Sequence, residues 1–265
     1  MGFVSRSTCV AQTHLPVRTG TWPFGHVRKT RLDSGTMRAL VTGFEPFGRW
    51  RESGINPSAQ VVAALAARPP EGTGLRTLVL PVSFRAAGPT LRAAIDEHQP
   101  EVILLLGQGG GRALRVERLG VNLEDIPGSR DNDGEARDEQ PIDRDGPAAY
   151  FATIPVRHLV QHLNAHGVPA VESLSAGTYL CNHVLYAALR YCEQTHHAAR
   201  VGFIHLPLLP EQEASSKSGG AVCERPPSLD LETQVRGVRL ALALLASREH
   251  PSRPPALWPA PHLGR

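Results

Sequence analysis

From Arg38 to Leu245 the chain alternates between two hydrophobic patterns. Short, nearly continuous apolar runs occur at Arg38–Thr42, Leu75–Val82, Glu101–Leu106, Val171–Leu174 and Val201–Pro207. The run Glu101–Leu106 is almost wholly apolar, which a strand covered on both faces requires. Between these runs, apolar residues recur at helical spacing. Asn56-Pro57-Ser58 opens one such stretch, with Val61, Val62 and Leu65 on its inner side. A second helix fills the interval ending near His98. Val156, Leu159, Val160 and Leu163 keep an i, i+3, i+4, i+7 pattern, and Val184, Leu185, Leu189 and Tyr191 mark one side of another helix. Val235, Val238, Leu242 and Leu245 mark the last. Strands alternating with helices predict a three-layer α/β/α sandwich around a mixed, mostly parallel central sheet. The β-like stretch carrying Glu117 has no helix before it, so that part of the sheet is expected to run antiparallel.

Length and composition narrow this reading. A chain of 265 residues suits one large α/β domain, placed at residues 37–250. Residues 1–36 mix Thr, Arg, Pro and Gly without a period. They read as a disordered extension, or as the result of a start assigned upstream of Met37; the Arg-containing, acid-poor makeup also fits an organellar transit peptide. Residues 251–265 read as a Pro-rich tail. The 28 basic and 25 acidic residues nearly balance and form no long basic cluster, so nucleic acid is not an expected partner. No apolar run approaches the roughly 20 residues of a membrane-spanning helix. Four cysteines, at 9, 181, 192 and 223, are too few and too scattered for a disulfide framework, and no secretory signal precedes them. The expected location is the cytoplasm.

Chemistry concentrates around Cys181. The run Ser175-Ala176-Gly177-Thr178-Tyr179-Leu180-Cys181-Asn182-His183 leads from a short strand through a Gly-containing turn into a helix. Unpaired N–H groups at a helix start favour a thiolate. A lone cysteine is more often a small core hydrophobe, so the reading needs a base. His205 is the one strongly polar side chain in Val201–Pro207, at the exit of an apolar strand, where open α/β sheets place their chemistry. Cysteine and histidine at two strand exits form a nucleophile–base pattern. Glu117 lies among apolar neighbours, where a carboxylate is costly unless paired; it is either the third member of this set or the partner of Arg115 or Arg118. Gly107-Gln108-Gly109-Gly110-Gly111 follows a strand but lacks the Lys-Ser/Thr of a phosphate loop. His158, His162 and His166 share one helix face, which reads as a solvated stripe rather than a metal site. No cofactor is expected.

Several blocks together carry a resemblance. They are Leu40-Val41-Thr42-Gly43-Phe44-Glu45-Pro46-Phe47-Gly48, Asn56-Pro57-Ser58, Gly107–Arg112, Glu117-Arg118, Asp145–Phe151, the cysteine run, and Gly202–Pro207 with Pro210-Glu211-Gln212. Their order and spacing, from about Met37 to about Ala246, closely resemble the pyroglutamyl peptidase type I family. These are cysteine exopeptidases that remove N-terminal pyroglutamate from peptides. The resemblance implies Cys181 as nucleophile, His205 as base and Glu117 as the residue orienting the histidine. It implies a substrate slot formed by Phe44, Phe47, Gln108, Tyr179 and Leu180, with Asn56 as a polar partner. Arg130 is the candidate for assisting the oxyanion, beside backbone N–H groups near Cys181. Tyr179 stands where many relatives have phenylalanine, and Val82 where some have threonine. The implied partners are pyroglutamyl peptides and further copies of the chain, as a homotetramer. A cysteine amidohydrolase for another lactam or small amide, and a non-catalytic binding relative, are the alternatives.

Overall fold

The computed structural model describes residues 36–214 and 227–247. The expected extension and tail, together with Cys9 and Cys223, lie outside the described residues save for Thr36. The elements are β1 (Met37–Phe44), α1 (Pro57–Ala67), β2 (Thr73–Leu80), α2 (Ala87–His98), β3 (Val102–Gln108), β4 (Leu114–Glu117), β5 (Leu119–Val121) and β6 (Ala149–Phe151). Then come α3 (Val156–Ala165), β7 (Ala170–Ser173), α4 (Leu180–Gln194), β8 (Arg200–Leu206), α5 (Pro210–Ala214) and α6 (Leu231–Ala246).

The central sheet has six strands in the order β2-β1-β3-β8-β4-β7. Strands β2, β1, β3 and β8 are mutually parallel. β4 runs antiparallel to β8, and β7 parallel to β4. The sheet is thus mixed and mostly parallel, with the reversal at the Glu117 strand. β3 shows why its sequence is so apolar. Val102, Leu104 and Leu106 enter one core and Ile103 and Leu105 the other, all fully buried. On the first face lie α1, α3 and α6, contributing Val61, Leu65, Leu159, Leu163, Val238 and Leu242. On the second lie α2 and α4, contributing Leu91, Ile95, Leu185 and Leu189. Truncating one such side chain, Leu104→Ala for example, costs about 2–5 kcal/mol.

Residues 118–151 are the part that the apolar pattern did not resolve. β5 and β6 form a separate antiparallel ribbon, with Leu119 opposite Phe151 and Val121 opposite Ala149. Each strand is three residues long, too short for a period to register. Between them runs a polar segment organised by side chains. Asp131 is buried and accepts from the backbone N–H groups of Phe84, Asp133 and Glu135 at 2.8–3.0 Å.

Candidate active site

The sheet reversal assembles the site. β8 runs upward beside β3, placing His205 level with Gly107. β4 descends beside β8, so Arg115 pairs with His205 and Glu117 with Phe203. Alternation along the two strands then puts Arg115, Glu117, Phe203 and His205 on one face of the sheet. That is the face covered by α4, whose second residue is Cys181.

Three side chains meet there. His205 is buried, and its Nδ1 lies 2.7 Å from Oε1 of the fully buried Glu117. With Nδ1 committed to the carboxylate, Nε2 is the nitrogen left to face Cys181. Burial is the largest single influence on the ring and opposes its charge. The charge of Cys181, the hydrogen bond to it, and Glu117 together outweigh burial and push the His205 pKa up to about 9. The site therefore favours an imidazolium near neutral pH. Glu117 Oε2 is buried without a hydrogen-bond partner. Arg115 Nε approaches Oε1 to 3.8 Å, so Glu117 faces both His205 and Arg115.

Glycine is required beneath Cys181. A Cβ on Gly107 would lie 2.7 Å from Cys181 Sγ and 2.7 Å from Phe203 Cζ. Gly107, next to last in β3, thus forms the floor under Cys181. Above it, Tyr179 occupies the N-cap position of α4 with an extended backbone and makes no side-chain capping bond. The first N–H groups of α4, at Leu180 and Cys181, have no carbonyl within the helix to meet and no capping side chain over them. The oxygen of a carbonyl attacked by Cys181 Sγ could turn to these donors as it gains negative charge. Cys192, on the same helix, is buried, and desolvation pushes its thiol up to about 11. It lacks the environment of a reactive thiol.

A narrow slot opens beside Cys181, lined by Phe44, Phe47, Val82, Gln108, Tyr179, Leu180 and Cys181. Of the expected pocket residues, Phe44, Phe47, Gln108, Tyr179 and Leu180 therefore come together. Gln212 is fully buried; its Oε1 accepts from Leu209 N, and its Nε2 donates to Gln108 Oε1 at 2.8 Å. This fixes the orientation of the Gln108 amide and leaves its Nε2 as the donor end. Tyr179 stacks near Phe47 (6.0 Å) and edge-on to Phe84 (5.5 Å). Desolvation, with Asp131 and Cys181 adding to it, pushes its phenol up to about 12, so it stays a neutral donor.

Two expected residues stand elsewhere. Asn56 is fully buried as the N-cap of α1; Oδ1 accepts from the Ser58 N–H and hydroxyl, and Nδ2 donates to Glu45 O at 2.9 Å. It holds the loop that presents Phe44 and Phe47 and is absent from the slot lining. Arg130 is exposed, and its guanidinium donates to Gly134 O at 2.7 Å. Its backbone carbonyl accepts from the Tyr179 hydroxyl at 3.3 Å.

Sequence reasoning missed the supports of the slot. Asn132 N donates to Val82 O, and its Nδ2 to Pro46 O, pinning two walls to one loop. Asn182 is buried beside Cys181; it accepts from Val121 N at 2.8 Å and donates to Val121 O and Leu123 O. It ties the start of α4 to the ribbon that continues from Glu117. The only sequence signal was a polar residue at the apolar start of a helix. Among the described residues no group of His, Cys, Asp or Glu could hold a metal ion.

Comparison with known proteins places this arrangement. Residues 37–248 match the family model described as pyroglutamyl peptidase. The pyrrolidone-carboxylate peptidase of Bacillus licheniformis is 38% identical over 215 residues, covering 80% of this chain and 94% of that protein. Among solved structures, the pyrrolidone carboxyl peptidase of Fervidobacterium islandicum AW-1 matches with a TM-score of 0.74 and 36% identity, over 79% of this chain and 98% of that one. The pyroglutamyl peptidase I of Bacillus amyloliquefaciens matches with a TM-score of 0.71 and 32% identity, over 78% and 93%.

Proposed function

The chain belongs to the pyroglutamyl peptidase family, and from that premise we propose how its residues carry the reaction. It is a cysteine peptidase that hydrolyses the amide bond following an N-terminal pyroglutamyl residue. In the proposed mechanism the Cys181 thiolate attacks the pyroglutamyl carbonyl carbon. The oxyanion is met by the uncapped N–H groups at the start of α4, fixed donors that need no reorganisation. His205, as imidazolium, gives its proton to the leaving amine as the C–N bond breaks, yielding an acyl-enzyme and a shortened peptide. Neutral His205 then takes a proton from water, whose oxygen attacks the thioester and releases pyroglutamate. Glu117 holds the ring by Nδ1 and offsets its charge. The observation that carries this reading is the juxtaposition of Glu117, His205 and Cys181 at an uncapped helix start, beside a narrow slot walled by Phe44, Phe47 and Tyr179.

The slot also supports the specificity. The lactam ring lies between apolar walls, and the Gln108 Nε2 donor suits a ring carbonyl. A prolyl or glutaminyl terminus would bring an ammonium into this apolar slot unpaired. The test is fluorophore release from pyroglutamyl, prolyl and glutaminyl amides, with and without a thiol alkylator. Discrimination by roughly 10⁴-fold is expected from a site with buried polar partners. Comparable kcat/KM on all three would overturn the assignment.

We also propose a cytoplasmic homo-oligomer, a tetramer by family resemblance. A reactive thiol is best kept in a reducing compartment. Exposed Phe151 and Leu174 come from segments joined at Arg118, whose backbone bonds both Ala152 and Ser173, and they supply apolar surface for subunit contact. No helix among the described residues is long and apolar enough to cross a membrane.

A further inference from the structure

Arg115 is a cation beside the reacting groups that the mechanism above does not use. Its strand runs opposite to β8, so the start of β4 lies at the same sheet edge as the end of β8, and Arg115 sits level with His205. Its side chain is 36% exposed, while its Nε is buried without a hydrogen-bond partner. Among the described residues, the carboxylate that it pairs with is Glu117 at 3.8 Å, a distance at the limit of an ion pair. The guanidinium therefore keeps an exposed end.

Sheet order then assigns that end a direction. The pyroglutamyl slot is built at the tops of β1 and β3 and the loop after β2, from Phe44, Gln108 and Val82. Cys181 stands over Gly107 of β3, His205 is on the next strand, and Arg115 is on the strand beyond. With the acyl group lying over β1 and β3, the leaving amine must face His205 to receive its proton, and the peptide behind it continues toward β4. The route is open. A Cβ on Gly109 would meet His205 Cβ at 2.9 Å and Arg115 Nη2 at 3.0 Å, so the missing side chain leaves a floor bounded by these two residues. Among the described residues, nothing lies within 4 Å of a Cβ built on Gly110 or Gly111.

We propose that Arg115 recognises a carboxylate on the residue that follows pyroglutamate. The carboxylate is either an acidic side chain or the chain terminus of a pyroglutamyl dipeptide. The proposal rests on the peptidase reading above. A guanidinium suits this task because its fork matches a carboxylate bidentately.

The test compares kcat/KM on isosteric pairs: pyroglutamyl-glutamate amide against pyroglutamyl-glutamine amide, and free pyroglutamyl-alanine against its amide. The first pair reads a side-chain carboxylate and the second a terminal one. The native enzyme is expected to favour the acidic member of at least one pair about tenfold, or about 1.4 kcal/mol. The ratio should shrink in 0.5 M salt, because the guanidinium is partly exposed. Arg115→Gln should bring it to about one, and Arg115→Lys should retain part of it. Ratios near one in the native enzyme on both pairs overturn the proposal. So does a ratio that survives Arg115→Gln, which would leave Arg115 only as support for Glu117, slowing all substrates alike. Failure to cleave any pyroglutamyl amide is a different result and strikes the peptidase reading itself.

Discussion

Replacing Glu117 by glutamine separates the charge of the third residue from its shape. The side chain is fully buried and its Oε1 lies 2.7 Å from His205 Nδ1. Glutamine keeps an acceptor at that place and loses the negative charge. A hydrogen bond to a charged group contributes about 1.5–3 kcal/mol, and one pKa unit corresponds to about 1.36 kcal/mol. The His205 pKa, pushed up to about 9, should therefore fall by about one to two units in the variant. His205 must be protonated to support the thiolate and to serve the leaving amine. Native activity should then hold through neutral pH and decline as pH rises through about 9, and in Glu117→Gln the alkaline limb should move down by the same one to two units. The same free energy lowers kcat/KM by about 10- to 100-fold at its optimum. The assay is a pH–rate profile on a pyroglutamyl amide, with the variant's fold checked by circular dichroism. An unmoved alkaline limb would refute the electrostatic role assigned to Glu117. Stability carries the same sign. A folded-state pKa above the ordinary 6.5 means the charged ring stabilises the fold fully below about 6.5, and that contribution is lost as pH rises through about 9.

Cys181→Ser should fold normally and lose essentially all turnover, and iodoacetamide should label Cys181 well ahead of Cys192, whose thiol is buried and pushed up to about 11; peptide mapping of the alkylated protein decides it. Gly107→Ala should abolish activity at least 100-fold while costing about 1–3 kcal/mol of stability, because the new methyl meets Cys181 Sγ and Phe203 at 2.7 Å; a near-native rate would show that the floor under the nucleophile yields freely.

The layered fold was legible because its strands are covered on both faces. Val102–Leu106 is buried on both sides and reads as an unbroken apolar run. The reversal at Glu117 was legible too, from the lack of an intervening helix. What the pattern missed is held by side-chain to backbone bonds. Asp131 gathers three N–H groups, Asn132 pins Val82 and Pro46, and Asn182 clasps Val121 and Leu123. Such bonds have no period, and a polar residue in a loop looks the same whether it clamps two walls or faces water. Asn56 shows the reverse difficulty. Its place before Pro57-Ser58 carries both a helix cap and a resemblance to a pocket residue, and the structure gives its side chain to the cap and to Glu45.

The position of β8 bears on how the protein comes into being. It lies between β3 and β4 in the sheet, yet it is made after both, with five other elements intervening between β4 and itself. Until residues 200–206 have left the ribosome, the sheet has an unfilled gap at its centre, and closing it joins segments 88 positions apart in the chain, as the Glu117–His205 bond does. Long-range pairing of this kind is slow relative to local helix formation. The same event brings His205, the proposed base, to Cys181. A nascent or truncated chain therefore carries Cys181 without His205 in place, and peptidase activity arrives only with completion of the sheet.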